Sequence, residues 1–197
     1  MGLKKAFALA AIVICLLGCQ GKTSYVENAY FVNDFTLELP ERPESLRFEK
    51  ESIAVQGEIR ETPKSEVGVL SSECKDTTFT LKLYEPESCW ELVGNLPDWQ
   101  GLGADEIWRE SIANECMKIT EADPASVEEL VIDGQPAVIC RAKNQDGAMQ
   151  YCLMIRDPEG SGCMYLQVLN GSQSQNEKIE EILQHVIDTF HWAGHDA

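Results

Sequence analysis

The chain is short of positive charge. It carries 16 Lys and Arg against 33 Asp and Glu, a formal net charge of −17 over 197 residues. Nucleic-acid recognition needs a basic surface facing phosphates, so this balance speaks against a nucleic-acid partner. It speaks equally against electrostatic docking on anionic lipid. No uncharged apolar run reaches the roughly 20 residues that a membrane-crossing helix requires. There is no Gly-x-Ser-x-Gly elbow, no Walker loop, no His-Glu-x-x-His and no Cys-x-x-Cys. The corresponding hydrolase, nucleotide-triphosphatase, zinc-protease, zinc-ribbon and thioredoxin readings lose their main support. Internal repeats and low-complexity stretches are also missing. With 44% hydrophobic residues, 14 glycines and 8 prolines, the remainder has the composition of one globular domain.

What is present is concentrated at the start. Lys4 and Lys5 precede an apolar run over residues 6–17, which ends in Leu16-Leu17-Gly18-Cys19. This is the pattern of a secretory signal peptide with a small residue just ahead of a cysteine. The segment resembles the lipobox of bacterial lipoproteins. That resemblance implies a diacylglyceryl group on the Cys19 thiol, cleavage just before it, and a lipid-anchored protein of the cell envelope facing the periplasm or exterior. The alternative is an ordinary cleaved signal, or an uncleaved anchor, with Cys19 unmodified. Lipid chains contribute about 0.8 kcal/mol per buried methylene, and two chains give stable membrane residence. Removing residues 1–18 leaves 33 acidic against 14 basic side chains, so the lipid alone would hold the body to a membrane. The expected organisation is a signal peptide over 1–18, a lipidated cysteine and polar tether over 19–29, one domain over 30–192 and a tail over 193–197.

Eight cysteines become six once Cys15 leaves and Cys19 takes lipid: Cys74, Cys89, Cys116, Cys140, Cys152 and Cys163. An even number in an exported chain points to as many as three disulfides. One pairing follows from turn geometry. Strands over 137–143 and 149–156 are joined by residues 144–148, and a left-handed Gly147 sets Asn144 opposite Ala148. Cys140 then faces Cys152 across the hairpin. The alternative is six buried thiols acting as small apolar residues.

Alternating apolar positions predict strands over 31–39, 53–60, 67–72, 77–85 and 127–133, followed by three close together over 137–143, 149–156 and 163–170. A short helix is expected within 86–96. A longer one should follow Gly101-Leu102-Gly103, capped by Asp105, with Trp108, Ile112, Cys116 and Ile119 at helical spacing. The last helix has Ser174 and Glu177 as a capping box and a stripe through Ile179, Ile182, Leu183, Val186, Ile187 and Phe190. The pattern is that of an α+β fold, a mostly antiparallel sheet packed by a central and a C-terminal helix. The stretches Phe35-Thr36-Leu37-Glu38-Leu39-Pro40, Ile132-Asp133-Gly134-Gln135-Pro136-Ala137 and Ile187-Asp188-Thr189-Phe190 resemble the PsbP family of photosystem II and the DcrB-type bacterial lipoproteins. The resemblance implies a PsbP-like sandwich and a non-enzymatic helper at a membrane complex. No functional residue transfers with it.

Candidate chemistry is sparse, and no catalytic residue, metal ligand or cofactor is assigned. Gly101-Leu102-Gly103-Ala104-Asp105-Glu106 lacks the third glycine of a dinucleotide loop and reads as a turn and cap. His191 and His195 stand at metal-ligand spacing, but Gly194 between them favours a solvated tail. His185 falls on the polar side of the last helix. The acid pairs at Asp157/Glu159 and Glu121/Asp123 offer too few oxygens for calcium. Trp99, between Pro97 and a glycine turn, is the residue expected to contact a partner, an envelope protein or ligand of unknown identity. Two rival readings stand beside this one: an envelope enzyme whose site is assembled from distant residues, and a small-ligand or cation carrier.

Overall fold

The computed structural model describes residues 24–30, 34–40, 46–48, 52–55, 57–69, 74, 76–93, 99–120, 127–160 and 162–194. In chain order the strands are β1 (Val26–Tyr30), β2 (Phe35–Leu39), β3 (Leu46–Phe48), β4 (Ser52–Val55), β5 (Glu58–Glu61), β6 (Lys64–Val69) and β7 (Thr77–Tyr84), then β8 (Val127–Ile132), β9 (Gln135–Lys143), β10 (Met149–Arg156), β11 (Cys163–Asn170) and β12 (His191–Trp192). Two α-helices, α1 (Ala104–Thr120) and α2 (Asn176–Thr189), complete the regular structure with 3₁₀ segments at Pro86–Glu91, Trp99–Gly101 and Gln173–Gln175.

From β8 to β11 the chain is one antiparallel meander, closed on its far side by β7, β6 and β3 in the order β3-β6-β7-β11-β10-β9-β8. Tight turns set the register. Asp133 and Gly134 both take positive φ between β8 and β9, the conformation a two-residue hairpin loop requires. Asn144 accepts hydrogen bonds from the backbone N–H of Asp146 and Ala148 around the left-handed Gly147. Cys140 therefore lies directly opposite Cys152, as the turn geometry predicts.

Because successive residues of a strand point to opposite faces, the sheet presents two apolar surfaces. One carries Phe79, Leu81, Tyr151, Leu153, Ile155, Met164 and Leu166. It is covered by Ile179, Ile182, Leu183 and Val186 of α2 and by the small sheet β1-β2-β12, through Phe35, Leu37 and Trp192. The other face carries Tyr84, Val138, Cys140, Cys152, Met154, Cys163 and Tyr165, and lies under the Pro86–Glu91 segment and α1. The result is an α+β fold with a mostly antiparallel sheet and one helix on each side.

Several details differ from the sequence reading. The segment expected as tether is already strand from Val26, which pairs with Leu39, so the body begins before residue 30. The strand expected over 31–39 is described only from Phe35, and residues 31–33 lie outside the described residues. The strand expected over 53–60 is instead two paired strands, β4 and β5, with the left-handed Gly57 just before β5. Asp105 is not the cap of α1. The helix starts at Ala104, and the Gly103 carbonyl accepts from the N–H of Glu106 and Ile107, both at 3.0 Å. The Ser174/Glu177 capping box does not form, because a 3₁₀ turn occupies Gln173–Gln175 and Ser174 bonds to Ser172 instead.

Asn176 does the tying at this end of α2. Its Oδ1 accepts from the Met149 N–H and from Asn170 Nδ2, both at 2.9 Å, while its Nδ2 donates to the Gly147 carbonyl at 3.1 Å. One side chain thus joins the helix, the β9–β10 loop and the end of β11. Leaving a partly buried N–H without an acceptor costs about 1–3 kcal/mol. Asn176→Ala should lower unfolding stability by that amount in urea titration, with an unchanged slope.

Candidate functional site

The second face of the sheet ends in a narrow crevice open to solvent, with room inside for about one water molecule. Three elements build it. The 3₁₀ segment contributes Cys89 and, just beyond it, Leu92; the first turns of α1 contribute Ala104, Ile107, Trp108 and Ser111; the β10–β11 turn contributes Arg156, Gly160, Gly162 and Cys163.

Local sequence explains each wall. Pro86 starts the 3₁₀ segment with its fixed φ. The Glu85 carbonyl there collects the Ser88 N–H at 2.9 Å, the Ser88 hydroxyl at 3.0 Å and the Cys89 thiol at 3.4 Å. Trp90 Nε1 donates to the Glu61 carbonyl at 2.7 Å, and Arg60 lies over the Trp90 ring, so the segment is pinned to β5. Asn114 Nδ2 donates to the Leu92 carbonyl at 2.6 Å and fixes α1 against the same segment. At the turn, a side chain on Gly162 would strike the Tyr84 carbonyl, so only glycine lets β11 begin so close to β7. Arg156 closes the mouth, donating to Asp105 Oδ1 at 2.7 Å and to the Gly160 carbonyl at 3.1 Å.

The lining is mostly apolar. Arg156 is held by Asp105 and Gly160, and the Ser111 hydroxyl is buried without a hydrogen-bond partner among the described residues. Deeper in the same layer Glu115 is 5% exposed, ion-paired with Lys118 and hydrogen-bonded to Tyr165, which also bonds Cys152. Burial raises the thiols and phenols here. The Cys89 thiol is pushed up to about 12, first by desolvation and then by Asp157 and Glu87. Cys163, Cys152, Tyr84 and Tyr165 are also held above their ordinary values, chiefly by desolvation. A nucleophilic cysteine needs the opposite shift, produced by a cation or a helix N-terminus. These thiols stay protonated at neutral pH, and none of them is poised as a nucleophile.

The structure brings five of the six candidate cysteines to one face of the sheet but leaves the other singled-out residues apart or undescribed. Cys19 and His195 lie outside the described residues, as do Glu121 and Asp123. Trp99 opens the 3₁₀ turn that leads into α1 and hence towards the crevice wall. Cys140 does not bond to Cys152. It bonds to Cys116 near the end of α1, with the Cα atoms 5.9 Å apart. Directly opposed strand residues hold their Cβ atoms about 4.5–5.5 Å apart, wider than a disulfide prefers, whereas a helix lying on the sheet can approach closer. Cys74, Cys89, Cys152 and Cys163 are buried and carry thiols. Cys74 sits on the α2 face, away from the others. His185 is not a bare surface residue: it bonds Glu38 at 2.7 Å and stacks on Tyr25 at 3.5 Å. His191 bonds Asp133 at 3.1 Å. Among the described residues no group of three or more His, Cys, Asp or Glu is arranged to hold a metal ion. Arg156, Ser111 and Glu115 escaped the sequence reading. Ser111 and Glu115 fall within the Trp108, Ile112 and Cys116 stripe, and polar residues on a buried stripe were the available signal.

No protein-family model matches the chain, and no curated protein is similar to it in sequence. Among solved structures, cyanobacterial PsbP from Synechocystis is similar at a TM-score of 0.46 and 11% identity, covering 89% of this chain and 96% of that one. The Saccharomyces cerevisiae Ran-binding protein Mog1p aligns at 0.44 and 12%, covering 87% and 96%. LpqN of Mycobacterium tuberculosis, involved in cell envelope biogenesis, aligns at 0.35 and 8%, covering 87% and 86%. The α+β architecture stated above stands on this chain's own strand register and helix packing.

Two outcomes follow from the buried polar groups. Ser111→Ala removes a buried, unpaired hydroxyl and should melt at or above the wild-type temperature by circular dichroism. In the reduced chain, the folded state keeps the Cys89 proton to a higher pH than the unfolded state does. That contribution to stability is whole below the unfolded value near 9 and is lost as pH rises towards about 12. Urea midpoints of the reduced chain should therefore fall from about pH 9 upward, and fall less in Cys89→Ala.

Proposed function

We propose that the chain is an exported lipoprotein, held on a membrane by lipid at Cys19, whose α+β body binds or supports another component of the bacterial cell envelope. The observation that carries this reading is the run from Lys4-Lys5 through the apolar residues 6–17 to Leu16-Leu17-Gly18-Cys19. The Cys116–Cys140 disulfide supports export, since stable disulfides belong to oxidising compartments. The crevice offers no activated thiol, because burial keeps Cys89 protonated, and this favours binding over cysteine catalysis.

The early start of the body limits its reach. Tyr25 packs against the core, so the chain from Cys19 to Tyr25 extends at most about 20 Å. The body would ride close to the headgroups, with no long stalk. Trp99, leading into the crevice wall, is the contact residue this reading puts forward.

Metabolic labelling with a palmitate analogue should mark the wild type and leave Cys19→Ala unmarked and shed from membranes. An unlabelled wild type that retains its leader overturns the reading. A pull-down from solubilised membranes should lose its main prey in Trp99→Ala if the contact face is placed correctly.

A further inference from the structure

β8 closes one side of the seven-stranded sheet, and among the described residues no strand pairs with its outer edge. The β8–β9 register says which backbone groups that edge offers. Ile132 and Gln135 flank the two-residue loop and form its closing hydrogen-bonded pair, and bonded and non-bonded pairs alternate from there. Leu130 with Ala137 and Glu128 with Ile139 are then the other bonded pairs. Val127, Glu129 and Val131 turn their N–H and C=O groups outward. Pro136 fits this parity, because it stands opposite Val131, where no N–H is asked of it.

The side chains of the same three residues share the α1 face. α1 packs on β9 and β10 and is bridged to Cys140, which lies opposite Val127, so that end of β8 is sheltered. Val131 lies about 13 Å further along the strand. It is 76% exposed, and Pro136 opposite it is exposed as well. Glu129 stands between the two valines, exposed, and no cation pairs with it among the described residues. Glu128, on the other face, is already held by Arg141 at 2.7 Å.

We propose that β8 is a docking edge for an extended segment of another protein with the pattern apolar-x-Lys/Arg-x-apolar. Main-chain hydrogen bonds to Val127, Glu129 and Val131 supply affinity, and alternate side chains supply selectivity. The basic residue sits opposite Glu129, and the apolar ones sit opposite Val127 and Val131. A second copy of the chain is a poor occupant. Its β8 reads VEELVI, which brings two more acids and no cation to Glu129. The net charge of −17 opposes self-association further. The edge uses neither Trp99 nor the lipid at Cys19.

The test pairs the full chain with two fluorescein-labelled heptapeptides, Thr-Val-Thr-Lys-Thr-Val-Thr and the same sequence with Glu in place of Lys. Binding is read by anisotropy and located by amide hydrogen exchange. The Lys peptide should bind about fivefold more tightly than the Glu peptide, the worth of one cross-strand charge pair. It should slow exchange within residues 127–131. Glu129→Lys should reverse the order of the two peptides. Val131→Pro removes an outward N–H and leaves the β9 ladder whole, so the Lys peptide should weaken about fivefold, the worth of one hydrogen bond. Equal binding of the two peptides, binding of neither, or protection elsewhere overturns the proposal. Dimerisation in sedimentation that itself protects residues 127–131 overturns it in favour of a second copy. Each outcome is the same with or without lipid at Cys19, so the edge can fail while the labelling of Cys19 succeeds, and the reverse.

Discussion

The fold is governed by the burial of β10 on both sides. Tyr151, Cys152, Leu153, Met154 and Ile155 are all buried, and alternation sends them to opposite faces in turn. Burying one large apolar side chain is worth about 1.5–3 kcal/mol, so leaving either face wet would forfeit several such increments. A single covering layer cannot satisfy both. The chain therefore needs α2 with the small β1-β2-β12 sheet on one side, and α1 with the 3₁₀ segment on the other. The two coverings are unlike. The first is an apolar seam built from Ile, Leu, Val and Phe, while the second mixes cysteines, tyrosines and a buried glutamate.

That difference decides where chemistry can sit. The α2 side is closed by side chains that interdigitate and carry little polarity. On the α1 side, the sulfur atoms and the Glu115–Tyr165–Cys152 contacts fill space that larger apolar residues would otherwise take. A covalent link from Cys116 to Cys140 then holds the helix down where its apolar stripe is weak. The crevice is what remains at the end the bridge does not reach. It is bounded by a turn that glycine alone permits and by an arginine paired across to the helix start.

Local rules carried much of this outcome. The meander from β8 to β11, its turns and the Cys140/Cys152 register were legible, because a two-residue period and left-handed turn residues act over short range. The stripe of α2 was legible for the same reason. Other features depend on parts of the chain far apart. Cys116 reaches Cys140 only because α1 crosses that end of the sheet. Asn176 ties down the end of α2 through Gly147, Met149 and Asn170, partners 6 to 29 positions away in the chain. Arg156 enters the crevice mouth through Asp105, a residue 51 positions away. The Val26 strand was hidden because β1 is a polar-leaning edge, VENAY, without alternation to mark it.

The contact between Tyr25 and His185 has a mechanical meaning. It is the first described packing contact that the chain makes on entering the body, and it joins the entry point to α2 rather than to β1 alone. His185 in turn holds Glu38, and Thr189 on the same helix accepts from the Glu38 backbone N–H. A pull applied from the N-terminal side is thus passed into the helix seated on the sheet, and the edge strand is spared from peeling on its own.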